Sequence, residues 1–106
     1  MKYLMLVCVD PTIELDEAPD DVDVWVENAG PRRLLGNALR QPAEGWTVRL
    51  RGGKPFVTDG PFADTKEFVA GFDILECDTK EEALAIAAAH PVAKFGAIEV
   101  RAFDGD

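Results

Sequence analysis

Tyr3-Leu4-Met5-Leu6-Val7-Cys8-Val9 decides the fold, because it is a continuous apolar run that ends only at Asp10-Pro11. Successive side chains of a strand point to opposite sides of its sheet, so this run is typical of a strand with both faces covered. One face carries Tyr3, Met5, Val7 and Val9, and the other carries Leu4, Leu6 and Cys8. The strand predicts a sheet with a layer of protein on each side.

Two helices are predicted from apolar spacing and capping residues. In the first, apolar residues recur at i, i+3, i+4 and i+7, at Val22, Trp25, Val26 and Ala29. This helix is expected to open at Asp20 or Asp21 and to stop at Gly30-Pro31. The second begins at Thr79-Lys80-Glu81-Glu82, which matches the capping box T-x-x-E, and stops at His90-Pro91.

Three more strands and a hairpin complete the pattern. Residues 34–39, 68–77 and 97–103 are predicted strands, and Gly36 in the first of them indicates a bulge or a close backbone approach. Residues 46–51 alternate apolar with polar, turn at Gly52-Gly53 and return through 54–58 as a hairpin. The order is βαββαβ with a β-hairpin inserted in its middle.

This order predicts one α+β domain over residues 1–106, a ferredoxin-like βαββαβ fold with an inserted β-hairpin. Two helices cover only one face of a four-stranded sheet, so the other face is expected to pack in a two-fold, sheet-to-sheet homodimer. In the ferredoxin-like order we expect the first and third main strands to be parallel neighbours. That arrangement places Cys8 and Cys77 near the same strand ends, as reduced, structural thiols.

Composition excludes several classes of function. A formal net charge of -9 opposes direct nucleic-acid binding, which depends on Lys and Arg neutralising phosphates. No apolar run approaches the roughly 20 residues that cross a bilayer, so we expect no membrane partner and a cytoplasmic location. One histidine and two separated cysteines form no recognisable zinc spacing, and no phosphate loop is present. We therefore expect no metal and no cofactor.

The segment from Asp59 to Glu67, Asp59-Gly60-Pro61-Phe62-Ala63-Asp64-Thr65-Lys66-Glu67, combines a tight turn with four ionisable side chains and is called the motif segment below. Lys66 and Glu67 are predicted ligand-binding residues, because a turn beside a cleft points charges at bound polar groups. The alternatives are a solvated Lys66–Glu67 pair and a single helical turn capped by Asp64 with Glu67.

His90 and Asp59 are the catalytic candidates. His90 is the only side chain with an unperturbed pKa near neutrality, which makes it the natural base, and Asp59 opens the motif segment. The alternative for His90 is a cap on the carbonyls at the end of the second helix. Arg32 and Arg33 are either an anion-binding pair or ordinary surface charge.

The motif segment, Gly71-Phe72 and the closing Ile98-Glu99-Val100-Arg101 resemble the YCII-related superfamily, in the branch named for its Asp-Gly-Pro-Phe motif. The resemblance covers nearly the whole chain and implies a ferredoxin-like fold assembled as a dimeric α/β barrel. In some YCII-like proteins a His and an Asp meet in a cleft between sheet and helices, and these are suspected enzymes. The smaller members carry that histidine in the first helix, where this chain has none.

Two functions remain open. The first is a small-molecule enzyme or binding protein with a polar cleft between the sheet, the second helix and the motif segment. The alternative is a non-catalytic, dimeric structural or regulatory module in which the motif segment only fixes the hairpin to the body.

Overall fold

The computed structural model describes residues 1–12 and 22–105. Along these residues, two α-helices and six strands follow one another as β1 (Lys2–Val9), α1 (Val22–Ala29), β2 (Arg33–Ala38), β3 (Trp46–Arg51), β4 (Lys54–Asp59), β5 (Phe68–Glu76), α2 (Lys80–Ala88) and β6 (Ala97–Ala102). Strands β3 and β4 pair with each other as a separate two-stranded sheet, turning through Gly52 and Gly53, both at positive φ. The four other strands form the main sheet.

The main sheet has the order β2-β5-β1-β6, and all of its neighbours are antiparallel. With two helices, this α+β arrangement is consistent with a ferredoxin-like fold. The expectation that the first and third main strands run parallel is wrong, since β1 and β5 pair from Lys2 with Glu76 to Val9 with Phe68. The helical crossover through α1 returns β2 parallel to β1, and β5 then runs back between them.

This antiparallel pairing also separates the two cysteines. Cys8 is near the carboxyl end of β1, opposite Val69, whereas Cys77 follows the carboxyl end of β5 and exchanges backbone hydrogen bonds with Met1. Burial raises the pKa of both thiols. The expectation that they lie at the same strand ends is therefore wrong.

The core lies on one face of the main sheet, under both helices. It contains Tyr3, Met5, Trp25, Leu75, Cys77, Ala83 and Ala87. Met5 and Leu75 are fully buried, and burial of a side chain of this size contributes about 1.5–3 kcal/mol. The predicted stripe of α1 is confirmed at Trp25 and Ala29, which are buried, whereas Val26 is half-buried and Val22 is exposed. The expected caps of this helix, Asp20 and Asp21, lie outside the described residues.

The two helices are fixed by specific hydrogen bonds as well as by packing. Trp25 Nε1 donates to the carbonyl of Ile86 at 2.8 Å and so ties α1 to α2. At the start of α2, Thr79 Oγ1 accepts from the backbone N–H of Glu82 at 3.2 Å, which is half of the predicted capping box. The carboxylate of Glu82 instead lies 2.7 Å from Arg32.

The opposite face of the sheet has no layer over it within the described residues. Leu4, Leu6 and Cys8 are only half-buried there, and Leu34 and Leu35 are 52% and 56% exposed. The β3–β4 hairpin is also open, with Trp46 72% exposed. Among the described residues, the apolar first strand therefore has one of its two predicted covers.

Gly36 in β2 is a close-approach glycine, as its place inside a strand predicts. The pairing of β2 with β5 shifts register between Arg33 and Leu35, and Gly36 then lies opposite Asp73. A Cβ on Gly36 would be 2.0 Å from Asp73 Oδ1 and 2.8 Å from the carbonyl oxygen of Phe72. Only glycine leaves room there for the Asp73 carboxylate.

Substituting Gly36→Ala should lower the free energy of unfolding by about 1–3 kcal/mol, because the added methyl group displaces the Asp73 side chain in a packed sheet. Urea unfolding measures the change. Gly45→Ala is the matched control, since its Cβ would meet nothing closer than the carbonyl oxygen of Pro42 at 3.4 Å. Equal stabilities for the two variants would contradict the close approach at Gly36.

Candidate functional site

A cavity of about 240 Å³ lies between the main sheet, α1 and the short 3-10 segment Pro91–Lys94, and is called the inner cavity below. Its walls are mostly apolar, formed by Val7, Val9, Val22, Val26, Ala38, Ala70, Gly71, Phe72 and Val92. Its polar lining consists of Arg33, Asn37, Asp73 and His90. A mainly apolar, concave site with a few polar groups is the usual form of a small-molecule site.

Arg33 and Asp73 form an ion pair across neighbouring strands of the sheet. Arg33 Nε donates to Asp73 Oδ1 at 2.7 Å, and the two side chains are 22% and 8% exposed. Such a charge-assisted hydrogen bond is strong, but withdrawing both charges from water offsets much of the gain. Removing one partner would leave the other charge buried, which typically costs about 3–5 kcal/mol. In the folded sheet, each of the two charged side chains therefore needs the other as its partner.

His90 lines the same cavity and is 4% exposed. Its Nδ1 accepts a hydrogen bond from the backbone N–H of Val92 at 3.1 Å, so the ring caps the start of the 3-10 segment. The alternative prediction, that His90 caps carbonyls at the end of the second helix, is wrong. A proline at the next position begins a new turn, whose amide the ring reaches more readily.

The environment of His90 favours the neutral ring. Burial lowers the pKa of His90, and the nearby negative charge of Asp73 opposes this shift only in part. The imidazole also meets the ring of Trp25 edge to face, with centroids 4.7 Å apart. Since Trp25 is held by its own hydrogen bond to α2, the position of the His90 ring is set by both helices.

The motif segment lies elsewhere. Gly60 adopts φ 93°, as the predicted Asp59-Gly60 turn requires, and its carbonyl accepts from Thr47 Oγ1 at 2.8 Å. Asp59 is exposed at the end of β4. Residues 60–67 contain no helix, so the predicted helical turn capped by Asp64 with Glu67 is wrong. The turn is instead fixed by the hydrogen bond from Gly60 N–H to the carbonyl of Gly45 at 2.8 Å.

Lys66 contacts the buried carboxylate of Asp10, with Nζ 3.5 Å from Oδ2. Hydrogen bonds from Thr12 are the main cause that lowers the pKa of Asp10, and Lys66 adds to them. Because the Lys66 side chain is 76% exposed, this ion pair contributes little to stability. The contact shows that Lys66 lies beside the carboxyl end of β1.

A larger cavity of about 710 Å³ lies at the motif segment. Glu67 lines it together with Trp46, Phe62 and Phe68 and the backbone of the turn. Phe62 is 79% exposed and Trp46 is 72% exposed. This space is therefore an open, apolar hollow on the surface and not an enclosed site. Neither Asp59 nor Lys66 lines it.

Of the four site residues predicted from the sequence, the inner cavity contains His90 and not Asp59, Lys66 or Glu67. Asp73 was missed by sequence reasoning. Its signal is a carboxylate within an otherwise apolar strand, on the same face as buried Leu75. The alternation of side chains between the two faces of β5 could have identified Asp73, because a charged side chain on the buried face of a strand needs a partner.

Within residues 1–12 and 22–105, no group of three or more His, Cys, Asp or Glu side chains is arranged to hold a metal ion. In the same part of the chain, no helix is long and apolar enough to cross a membrane. The side chains available for polar contacts in the inner cavity are a guanidinium, a carboxylate, an amide and an imidazole.

The lowered pKa of His90 predicts a pH-dependent stability. The unfolded chain takes up the proton first as pH falls below about 6.5, so the stability that depends on neutral His90 is present above that pH and lost below it. Urea unfolding at about pH 7.5 and pH 5.5 should show a loss of at most about 1.4 kcal/mol per pH unit from this group. His90→Asn should lose less over the same interval, and an equal loss would contradict the assignment.

Comparison with known proteins places this geometry in a family. Over 38 residues the chain is 47% identical to the uncharacterized protein R00369 of Rhizobium meliloti (strain 1021), a match that covers 36% of this chain and 31% of that relative. The profile of the YCII-related domain matches residues 1–103, which is nearly the whole chain and includes every residue of the inner cavity. The chain therefore belongs to the YCII-related family.

Proposed function

We propose that this protein binds a small molecule in the inner cavity, as an enzyme or as a binding protein, with Arg33, Asp73 and His90 as its polar contacts. The observation that carries the proposal is the Arg33–Asp73 ion pair, with its 2.7 Å contact, in the lining of an otherwise apolar cavity that also contains His90. A buried carboxylate paired with a partly buried guanidinium beside a titratable ring is a combination found often at functional sites.

The size and charge of the inner cavity limit the ligand. About 240 Å³ corresponds to about eight water volumes, at about 30 Å³ each, which is room for a compact ligand only. The charges of Arg33 and Asp73 offset each other, and a neutral His90 adds none. These features favour an uncharged ligand with an apolar body and hydrogen-bonding groups at one side.

Catalysis is compatible with the same groups. A carboxylate and a neutral imidazole among mostly apolar walls are suited to stabilising a charge that develops on a bound molecule. This assignment moves the site away from the motif segment, and the roles predicted for Asp59, Lys66 and Glu67 stay predictions. The Asp59-Gly60-Pro61-Phe62 turn supports placing the chain in the branch of the family named for that motif.

We also propose that the protein is a homodimer joined through the open sheet face. The chain exposes 7615 Å², whereas a compact monomer of 11.6 kDa is expected to expose about 5,800 Å². Its radius of gyration is 15.8 Å, against about 13 Å for a compact domain of this length. The chain thus exposes about 1,800 Å² more than a compact monomer would. This surplus is larger than the roughly 800 Å² that each partner buries in a standard interface, so it is sufficient for a dimer.

The small-molecule site predicts that the double variant Arg33→Gln/Asp73→Asn loses affinity. Replacing both partners avoids an unpaired buried charge. Asn has the shape of Asp, and the Gln amide reaches the position of Arg33 Nε, so a neutral hydrogen bond can replace the ion pair and the fold should survive. Ligands found by native mass spectrometry of the wild type against a library of small neutral metabolites should bind this variant at least about tenfold more weakly, because hydrogen bonds to charged groups are lost.

The matched control is Arg32→Gln/Glu82→Gln. This second ion pair also has a 2.7 Å contact, but neither residue lines the inner cavity. Its removal should leave ligand affinity unchanged. Equal weakening by both double variants, or no bound ligand that depends on Arg33 and Asp73, would contradict the site and favour the alternative of a non-catalytic dimeric module.

Leu35→Glu should convert the homodimer into a monomer, because it places a charge within the exposed apolar face of β2. Sedimentation velocity at micromolar concentration measures the change. Leu84→Glu is the control, since Leu84 is 45% exposed on the outer side of α2 and should leave the dimer intact. A monomeric wild type would contradict the proposed interface.

A further inference from the structure

We infer that His90 serves the inner cavity as a hydrogen-bond donor, through Nε2–H, to a carbonyl oxygen of the ligand, and not as a base. This inference rests on the proposed small-molecule site and names the chemistry of its ligand. The sequence predicts His90 as a base. The hydrogen bond accepted by Nδ1 leaves the proton of the neutral ring on Nε2, where it can be donated to a ligand.

The hydrogen bond at Nδ1 determines which nitrogen of the His90 ring carries the proton. Nδ1 accepts from the N–H of Val92 at 3.1 Å, and an acceptor nitrogen cannot carry a proton of its own. The neutral ring is therefore protonated at Nε2. A base acting through Nε2 would need the other tautomer, which places an N–H of the ring against the N–H of Val92 and opens the cap of the 3-10 segment.

The surroundings of the His90 ring also disfavour its doubly protonated, positively charged form. An imidazolium would lose the same cap, and it would sit in a cavity with mostly apolar walls. The charged groups that face the ring across the cavity are Asp73 from β5 and Arg33 from β2, and these two are already paired with each other. The contact from α1 is the uncharged ring of Trp25.

Nε2–H is the polar group that the His90 ring offers to the inner cavity. The ring lines that cavity and is 4% exposed, and its Nδ1 is already bound to the N–H of Val92. A ligand acceptor within reach of Nε2–H therefore forms its hydrogen bond in a site largely shielded from water, where such a bond is stronger than in water. The matching group is a carbonyl oxygen, on a body small and apolar enough for the valine-lined walls.

Because His90 is the single histidine of the chain, its tautomer can be read directly. Long-range proton–nitrogen NMR of the ring at about pH 7.5, where the neutral imidazole predominates, should show the Nε2–H tautomer. The probes are cyclohexanone and methylenecyclohexane, which have nearly the same shape but differ in the acceptor oxygen. Relative to methylenecyclohexane, cyclohexanone should bind the wild type about two- to tenfold more tightly, as expected for one net hydrogen bond.

Two variants separate the donor from the cap. His90→Asn keeps a side-chain oxygen that can accept from Val92, since Asn is a good capping residue, but it removes the Nε2–H donor. This variant should fold and bind both probes equally. His90→Gln reaches the Nε2 position with an amide donor and loses the short acceptor, so it should retain part of the preference for cyclohexanone and be less stable.

An Nδ1–H tautomer or an imidazolium at about pH 7.5, or an unchanged preference in His90→Asn, would overturn the donor role. If such a result accompanies binding that depends on Arg33 and Asp73, the proposed site stands and only the inference fails. If neither probe perturbs the Trp25 indole or the His90 ring of the wild type, both the inference and the small-molecule site are overturned.

Discussion

The ion pair between Arg33 and Asp73 is the interaction on which the candidate site depends. It places two charges inside a sheet, where each needs the other, and it requires that the residue opposite Asp73 have no side chain. Gly36 meets that requirement. A hydrophobic pair of similar volume would satisfy the fold as well or better, so stability alone does not account for a charged pair at this position.

His90 adds a third group without adding charge. The His90-Pro91 sequence ends α2 and starts a new turn, and the backbone N–H of that turn takes up one nitrogen of the ring. Packing on Trp25 then fixes the ring against the cavity wall. The inner cavity therefore combines a balanced ion pair with a neutral donor, a set of groups suited to a small uncharged molecule.

The sequence predicts local features well and tertiary pairings poorly. The stripe of α1, the cap at Thr79 and the close approach at Gly36 all follow from spacing and residue type. The direction of β5 against β1, and with it the distance between the cysteines, depends on how the chain crosses over, which periodicity does not encode. Arg33 and Asp73 are 40 residues apart, so only the sheet brings them together.

The most direct test of the site is a crystal structure of the protein purified gently enough to retain a bound molecule. The account predicts electron density for a compact ligand in the inner cavity, within hydrogen-bonding distance of the Arg33–Asp73 pair and of Nε2 of His90. A ligand bound at the hollow beside the motif segment, with Arg33 turned out to solvent and the inner cavity closed, would contradict it.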